Sequence, residues 1–153
     1  MSAFGVTIPE EAVCIYPADT TKHEAIDQLV HAIVSSGVVS DEEQFRTAVY
    51  ERESVMSTGI GSGVAIPHVR IDEVVRPAVG VGISEQGIDF DTLDNEPVNV
   101  IVMFAMPSGS QKEYLGLLAQ VMQALKVPGF RENLIACKSG QDVAQMLNSA
   151  PSQ

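Results

Sequence analysis

Residues 98–106, VNVIVMFAM, are nearly all apolar and begin with β-branched side chains. A strand with one wet face alternates apolar and polar residues, so a nearly continuous apolar run of this length predicts a central strand covered on both faces. Amphipathic helices are the natural cover, and the chain supplies them on either side of this run. Ile26, Leu29, Val30, Ile33 and Val34 repeat at helical spacing, after a capping threonine at Thr20 or Thr21 and before Gly37 as a stop. Ser40 and Glu43 have the spacing of a capping box and predict a second helix through DEEQFRTAVYERE, with Phe45, Val49 and Ala48 on its inner side.

From residue 54 the pattern changes. STGIGSG, with three glycines, predicts a loop, and GVAIPH a short strand stopped by Pro67, which has no amide to donate to a ladder. RPAVGVGIS, residues 76–84, predicts another strand, with glycines where a neighbour packs closely. After Pro107-Ser108-Gly109, a cap at Ser108 or Ser110 opens a helix whose apolar positions are Leu115, Leu118, Val121, Met122 and Leu125. Two short helices follow, around RENLIAC and, after Ser139, QDVAQMLN. Helices that precede, separate and follow a few strands predict an α/β layer fold with helices on both faces of the sheet. At 153 residues one domain is expected, over residues 1–149, with residues 150–153 as a disordered tail.

The charge balance excludes some partners. A net charge of −11 with no Lys/Arg cluster argues against nucleic acid, whose phosphates attract basic surfaces. No stretch approaches the roughly 20 apolar residues of a membrane span, so no direct membrane insertion is expected. The start of the chain lacks the features of a secretory signal, and a cytoplasmic location is expected. Cys14 and Cys137 have no metal or redox spacing and are expected to be two buried thiols. His23 and His31 are expected to be exposed, and Asp89, Asp91, Asp94 and Glu96 to form a solvated loop, since the calcium-loop pattern is incomplete. No cofactor or metal motif is present in the sequence.

The segment that can carry chemistry is Arg52 to His68, RESVMSTGIGSGVAIPH. It joins a helix end bearing Arg52 and Glu53 to the hydroxyls of Ser57 and Thr58, the glycines Gly59, Gly61 and Gly63, and a strand ending in Pro-His. Histidine is largely neutral near pH 7 and hence nucleophilic, and Pro67 stiffens the backbone that aims it. Arg52 can grip an anion with two parallel hydrogen bonds, and amides of a glycine turn can hold one too. The commoner roles stay open on these residues alone: His68 as a strand-end histidine held by backbone hydrogen bonds, and Arg52 as a solvated helix-end charge. The glycines precede a strand instead of opening a helix, which excludes a dinucleotide fingerprint, and Walker and G-x-S-x-G motifs are absent.

RES-x-x-STGIGSGVAIPH resembles the active-site signature of phosphotransferase-system enzyme IIA domains of the fructose/mannitol class, which includes nitrogen-regulatory members. The resemblance extends through IDFDTLDNEPVNVIVMFAMP to the carboxy-terminal helices. It implies a mixed sheet of roughly five strands flanked by helices, and a protein phosphorylated on Nε2 of His68. It implies that Arg52, together with the loop residues Ser57, Thr58, Gly59 and Gly61, binds the phosphoryl group. The implied donor is an HPr-like phosphocarrier protein, and the implied recipient an enzyme IIB cysteine or a regulatory protein target. Many members of the family carry a second histidine where this chain has Tyr114, which can donate a hydrogen bond but has no positive charge at pH 7. Tyr114 either contacts the phosphoryl group or merely flanks the apolar stripe. Two functions follow as expectations: a phosphoryl carrier with onward transfer, or a regulatory module whose docking depends on phosphorylation, with weak or no transfer.

Overall fold

The computed structural model describes Phe4, residues 6–55 and residues 57–149; the expected tail at residues 150–153 lies outside them. A 3-10 turn, Glu10–Ala12, leads into strand β1, Val13–Ile15, and helix α1, Lys22–Ser35. Thr21, not Thr20, caps α1. Its side-chain oxygen accepts the Glu24 amide while the Glu24 carboxylate accepts the Thr21 amide. Gly37 follows with φ 85°, the left-handed stop expected of it. Helix α2, Glu42–Val55, is capped one residue later than its sequence suggests. Asp41 Oδ1 accepts the Gln44 amide at 3.1 Å, because the Ser40 hydroxyl is donated to the Glu73 carbonyl.

The strands that follow are β2, Gly59–Gly61; β3, Val64–Ala65; β4, His68–Ile71; β5, Ala78–Ile88; and β6, Val98–Pro107. Helices α3, Gln111–Lys126, α4, Phe130–Ala136, and α5, Gly140–Ser149, complete the described chain. Among the described residues the sheet is mixed and six-stranded, in the order β1-β5-β6-β3-β2 with β4 also on β6. β6 is central: it runs antiparallel to β5 and parallel to β3 and β4.

Two readings of the glycine segment change here. STGIGSG is not an open loop but part of a hairpin, β2 against β3, turned by Ser62 and Gly63 at φ 56° and 77°. Two consecutive positive φ values are what a tight hairpin needs to match the strand twist. Pro67 interrupts a strand line without ending it. Val64 lies opposite Val100 and Ile71 opposite Pro107, so β3 and β4 follow β6 in one unbroken register. The Pro67 carbonyl still accepts the Phe104 amide at 2.9 Å; proline removes only the donor. These short elements raise the sheet from about five strands to six.

The apolar run of β6 divides by the strand's period of two. Val100, Val102, Phe104 and Met106 enter a core shared with α3, α4 and α5, whereas Ile101, Met103 and Ala105 enter one shared with α1 and α2. Helices therefore cover both faces, as the sequence required. β5 explains its glycines: a Cβ on Gly80 would stand 3.3 Å or less from Leu29 and Ile33, and one on Gly82 2.5 Å from the Tyr16 ring. Their absence of side chains lets α1 and Tyr16 lie against the sheet.

Two further details differ from the pattern. Leu115 is exposed, and the inner side of α3 is Tyr114, Leu117, Leu118, Val121, Met122 and Leu125. Leu115 sits one residue, about 100° of helix, away from that face. Cys14, in β1, and Cys137, directly after α4, are half-buried free thiols instead of buried ones, each packed against the margin of a core.

Candidate functional site

α2 ends at the sheet edge formed by β2, β3 and β4, and α3 begins on the other side of that edge. Between them is a cleft of about 350 Å³ lined by Arg52, Ser57, Thr58, Gly59, His68 and Tyr114, with Ile60, Ile66, Leu118 and Met122 as apolar walls. The fold thus brings together every expected site residue except Gly61, which lies further along the hairpin and lines a neighbouring hollow with Arg131.

His68 opens β4, directly after the interruption at Pro67. Its Nδ1 lies 3.3 Å from the Ile66 carbonyl. A carbonyl only accepts, so Nδ1 carries the proton and Nε2 holds the lone pair. The backbone-held histidine and the nucleophilic histidine are therefore one arrangement: the hydrogen bond at one nitrogen fixes the other as a base. Burial pushes the His68 pKa below its usual 6.5. Arg52 and Arg70 push the same way, against the Ile66 hydrogen bond and Glu53. The ring is neutral at pH 7.

Tyr114, in the first turn of α3, stacks on His68 with ring centroids 4.7 Å apart and an interplanar angle of 23°. Phe104 meets the same tyrosine edge-on at 5.5 Å. Burial raises the Tyr114 pKa, with Arg52 and Arg70 opposing, so the phenol keeps its proton at pH 7 and can donate it. Tyr114 is part of the cleft and of the core at once.

The hydroxyls of Ser57 and Thr58 are already committed. Ser57 donates to the Phe90 carbonyl at 3.0 Å and accepts the Gly59 amide at 3.1 Å. Thr58 donates its hydroxyl to Glu53 Oε1 at 2.7 Å and its amide to Glu53 Oε2 at 3.0 Å. Both residues shape the wall of the cleft. Gly59 lets the Thr92 side chain lie close against the wall, since a Cβ there would stand 2.4 Å from the Thr92 methyl unless that loop shifted.

Glu53 is the residue whose importance the sequence understates. It is buried on α2, and Lys22 approaches it at 3.0 Å. A buried carboxylate is costly unless paired, and Glu53 is paired three times. A chain of contacts then runs from it to His68. Glu53 holds Thr58, the Thr58 carbonyl accepts the Ile66 amide at 3.0 Å, and the Ile66 carbonyl accepts from His68. Its position beside Arg52 was visible in the sequence. The fact that it faces inward while Arg52 faces the cleft depends on how α2 packs.

Comparisons with known proteins bear on the family and the fold. Residues 7–150 match the family model described as phosphoenolpyruvate-dependent sugar phosphotransferase system, EIIA 2. A Haloferax volcanii protein, the fructose-specific EIIA component, is 33% identical over 139 residues, covering 91% of this chain and 90% of that one. Among solved structures, the nitrogen regulatory protein IIA-Ntr from Neisseria meningitidis superimposes with a TM-score of 0.81 at 23% identity, over 93% of this chain and 97% of that one. An Escherichia coli complex of enzyme IIA of the mannitol system with phosphorylated enzyme IIB gives 0.75 at 21% identity, over 92% and 96%. At these identities the structural likenesses speak for the fold alone.

Proposed function

The chain belongs to the EIIA type 2 family of the phosphoenolpyruvate-dependent sugar phosphotransferase system, and on that premise we propose that it carries phosphate on Nε2 of His68. The observation that carries this reading is the hydrogen bond from Nδ1 to the Ile66 carbonyl, which leaves the Nε2 lone pair facing a cleft that Arg52 also lines.

In the forward step the Nε2 lone pair attacks phosphorus of a phosphohistidine on an HPr-like carrier. The new N–P bond forms as the donor's N–P bond breaks, and the donor imidazole leaves with the electron pair. The phosphoryl oxygens take their charge-assisted hydrogen bonds from Arg52, each worth about 1.5–3 kcal/mol, and one from the Tyr114 hydroxyl. Ser57, Thr58 and Gly59 hold the wall against which the group is placed, and Gly61 keeps the hairpin in shape. Onward transfer to an enzyme IIB cysteine reverses the same geometry, and the E. coli mannitol complex supports a partner of that kind. Such chemistry belongs to the cytoplasm, where phosphoenolpyruvate is available; no described helix is long and apolar enough to cross a membrane.

Incubation with phosphoenolpyruvate, enzyme I and an HPr-like carrier tests the reading, with mass-spectrometric location of the label. Labelling on His68 that is lost in His68→Ala is the expected outcome. An unlabelled wild type, or a label elsewhere that persists in the variant, overturns it. If label enters His68 but is not passed to an enzyme IIB, the phosphate serves as a signal that alters docking, by adding roughly two negative charges to the cleft.

A further inference from the structure

Arg70 lies two residues beyond His68 on β4. The strand alternates, and Val69 and Ile71 turn into the core beside α1 and α2, so His68 and Arg70 share the opposite side. The Arg70 guanidinium carbon stands 6.0 Å from the centroid of the Tyr114 ring, which itself stacks on His68. Three side chains therefore sit in series, imidazole, phenol and guanidinium, and the first two line the cleft. Arg70 is exposed.

A phosphoryl group on Nε2 brings roughly two negative charges into a chain that already carries −11. Tyr114 offers a hydrogen bond but no charge. Arg52, on the α2 side, supplies one positive charge. Both Arg52 and Arg70 act electrostatically on the imidazole and on the phenol, which places their charges within range of the same point.

We propose that Arg70 is a second phosphoryl ligand, closing on the oxygens of phospho-His68 from the Tyr114 side while Arg52 holds them from the other. This rests on His68 being the phosphoryl acceptor. Tyr114 serves as the platform over which the guanidinium moves, by its ring face, in addition to its own hydrogen bond. Arginine suits the role because its planar fork meets two phosphoryl oxygens at once and its charge does not titrate near neutral pH.

The test uses the full chain with two phosphodonors. One is the phosphorylated HPr-like carrier. The other is phosphoramidate, whose P–N bond breaks as the His68 Nε2–P bond forms and whose nitrogen leaves, protonated, as ammonia. Because phosphoramidate has no protein surface, it separates phosphoryl binding from docking. Arg70→Gln is expected to slow phosphorylation about tenfold with both donors, with Arg70→Lys in between and the thermal midpoint unchanged. Phospho-His68 in Arg70→Gln should also show a shifted 31P resonance. Wild-type rates in Arg70→Gln with phosphoramidate overturn the proposal, whether or not the carrier reaction slows, since a slowing confined to the carrier makes Arg70 a docking residue. Failure of the wild type to be labelled by either donor removes the acceptor reading itself, a result distinct from labelling that ignores Arg70.

Discussion

The two edges of β6 are built differently. On one side β5 pairs with it as a long antiparallel partner, 11 residues against 10, buried for most of its length apart from Glu85 and Gln86. On the other side β3 and β4, of 2 and 4 residues, pair with it across the interruption at Pro67, and the 3-residue β2 pairs only with β3. The first edge is held by area: each large side chain buried there contributes about 1.5–3 kcal/mol. The second is held by a few polar contacts, those of Glu53, Thr58, Ile66 and His68. Regular pairing would have used up the backbone groups and aimed every side chain by the pleat. The broken edge frees the backbone at Ile66 to fix an imidazole and leaves room for a cleft. The scaffold edge stores stability, and the broken edge places chemistry.

Substitutions can separate the two. His68→Ala should abolish phosphorylation altogether while leaving the thermal unfolding midpoint nearly unchanged, since the half-buried ring sits at the cleft; a folded variant that still labels would break the assignment. Glu53→Gln should be the next largest. One amide oxygen cannot accept both Thr58 donors and also pair with Lys22, so stability should fall by about 1.5–3 kcal/mol by denaturant titration and the labelling rate about tenfold.

Two glycines test the contrast directly, because a Cβ at either clashes equally on paper. Gly82→Ala would strike the Tyr16 ring, which is buried and donates its hydroxyl to the Ala25 carbonyl at 2.8 Å. About 1–3 kcal/mol should be lost there, with the labelling rate of the folded protein intact. Gly59→Ala would strike the Thr92 methyl, on a loop whose neighbours are exposed and can shift. Here the stability loss should stay below about 1 kcal/mol while the rate falls several-fold. Equal losses in both assays for both variants would erase the distinction between the edges.

The smallest effect expected is in pH dependence. His68 titrates below 6.5, so the attacking form persists as pH falls. Labelling by phosphoramidate should fall to half its plateau rate only at a pH below 6.5, as the imidazole becomes protonated. The same lowered pKa means the unfolded chain binds the proton more readily, so the contribution of His68 to stability is lost as pH falls below 6.5. A rate that halves at or above pH 6.5 would show that the ring is not desolvated as the cleft implies.

By itself the sequence determined the layers and the segment that bears the chemistry. The run at residues 98–106 required two covered faces, the stripe from Ile26 to Val34 supplied one cover, and Arg52 to His68 marked the candidate site. These are local properties: periodicity, capping and glycine tolerance act over a few residues and leave their mark in order along the chain. What only the tertiary structure decided is where the segments meet. The hairpin hidden in STGIGSG, the continuation of the strand line past Pro67, the inward turn of Glu53 and the stacking of Tyr114 on His68 all depend on partners far away in sequence, β6 and α3 above all. A single window of residues carries no record of which distant surface will bury it. The Nδ1 contact of His68 with the Ile66 carbonyl is local, but long-range packing alone set Tyr114 against the ring and brought Arg52 to the same cleft.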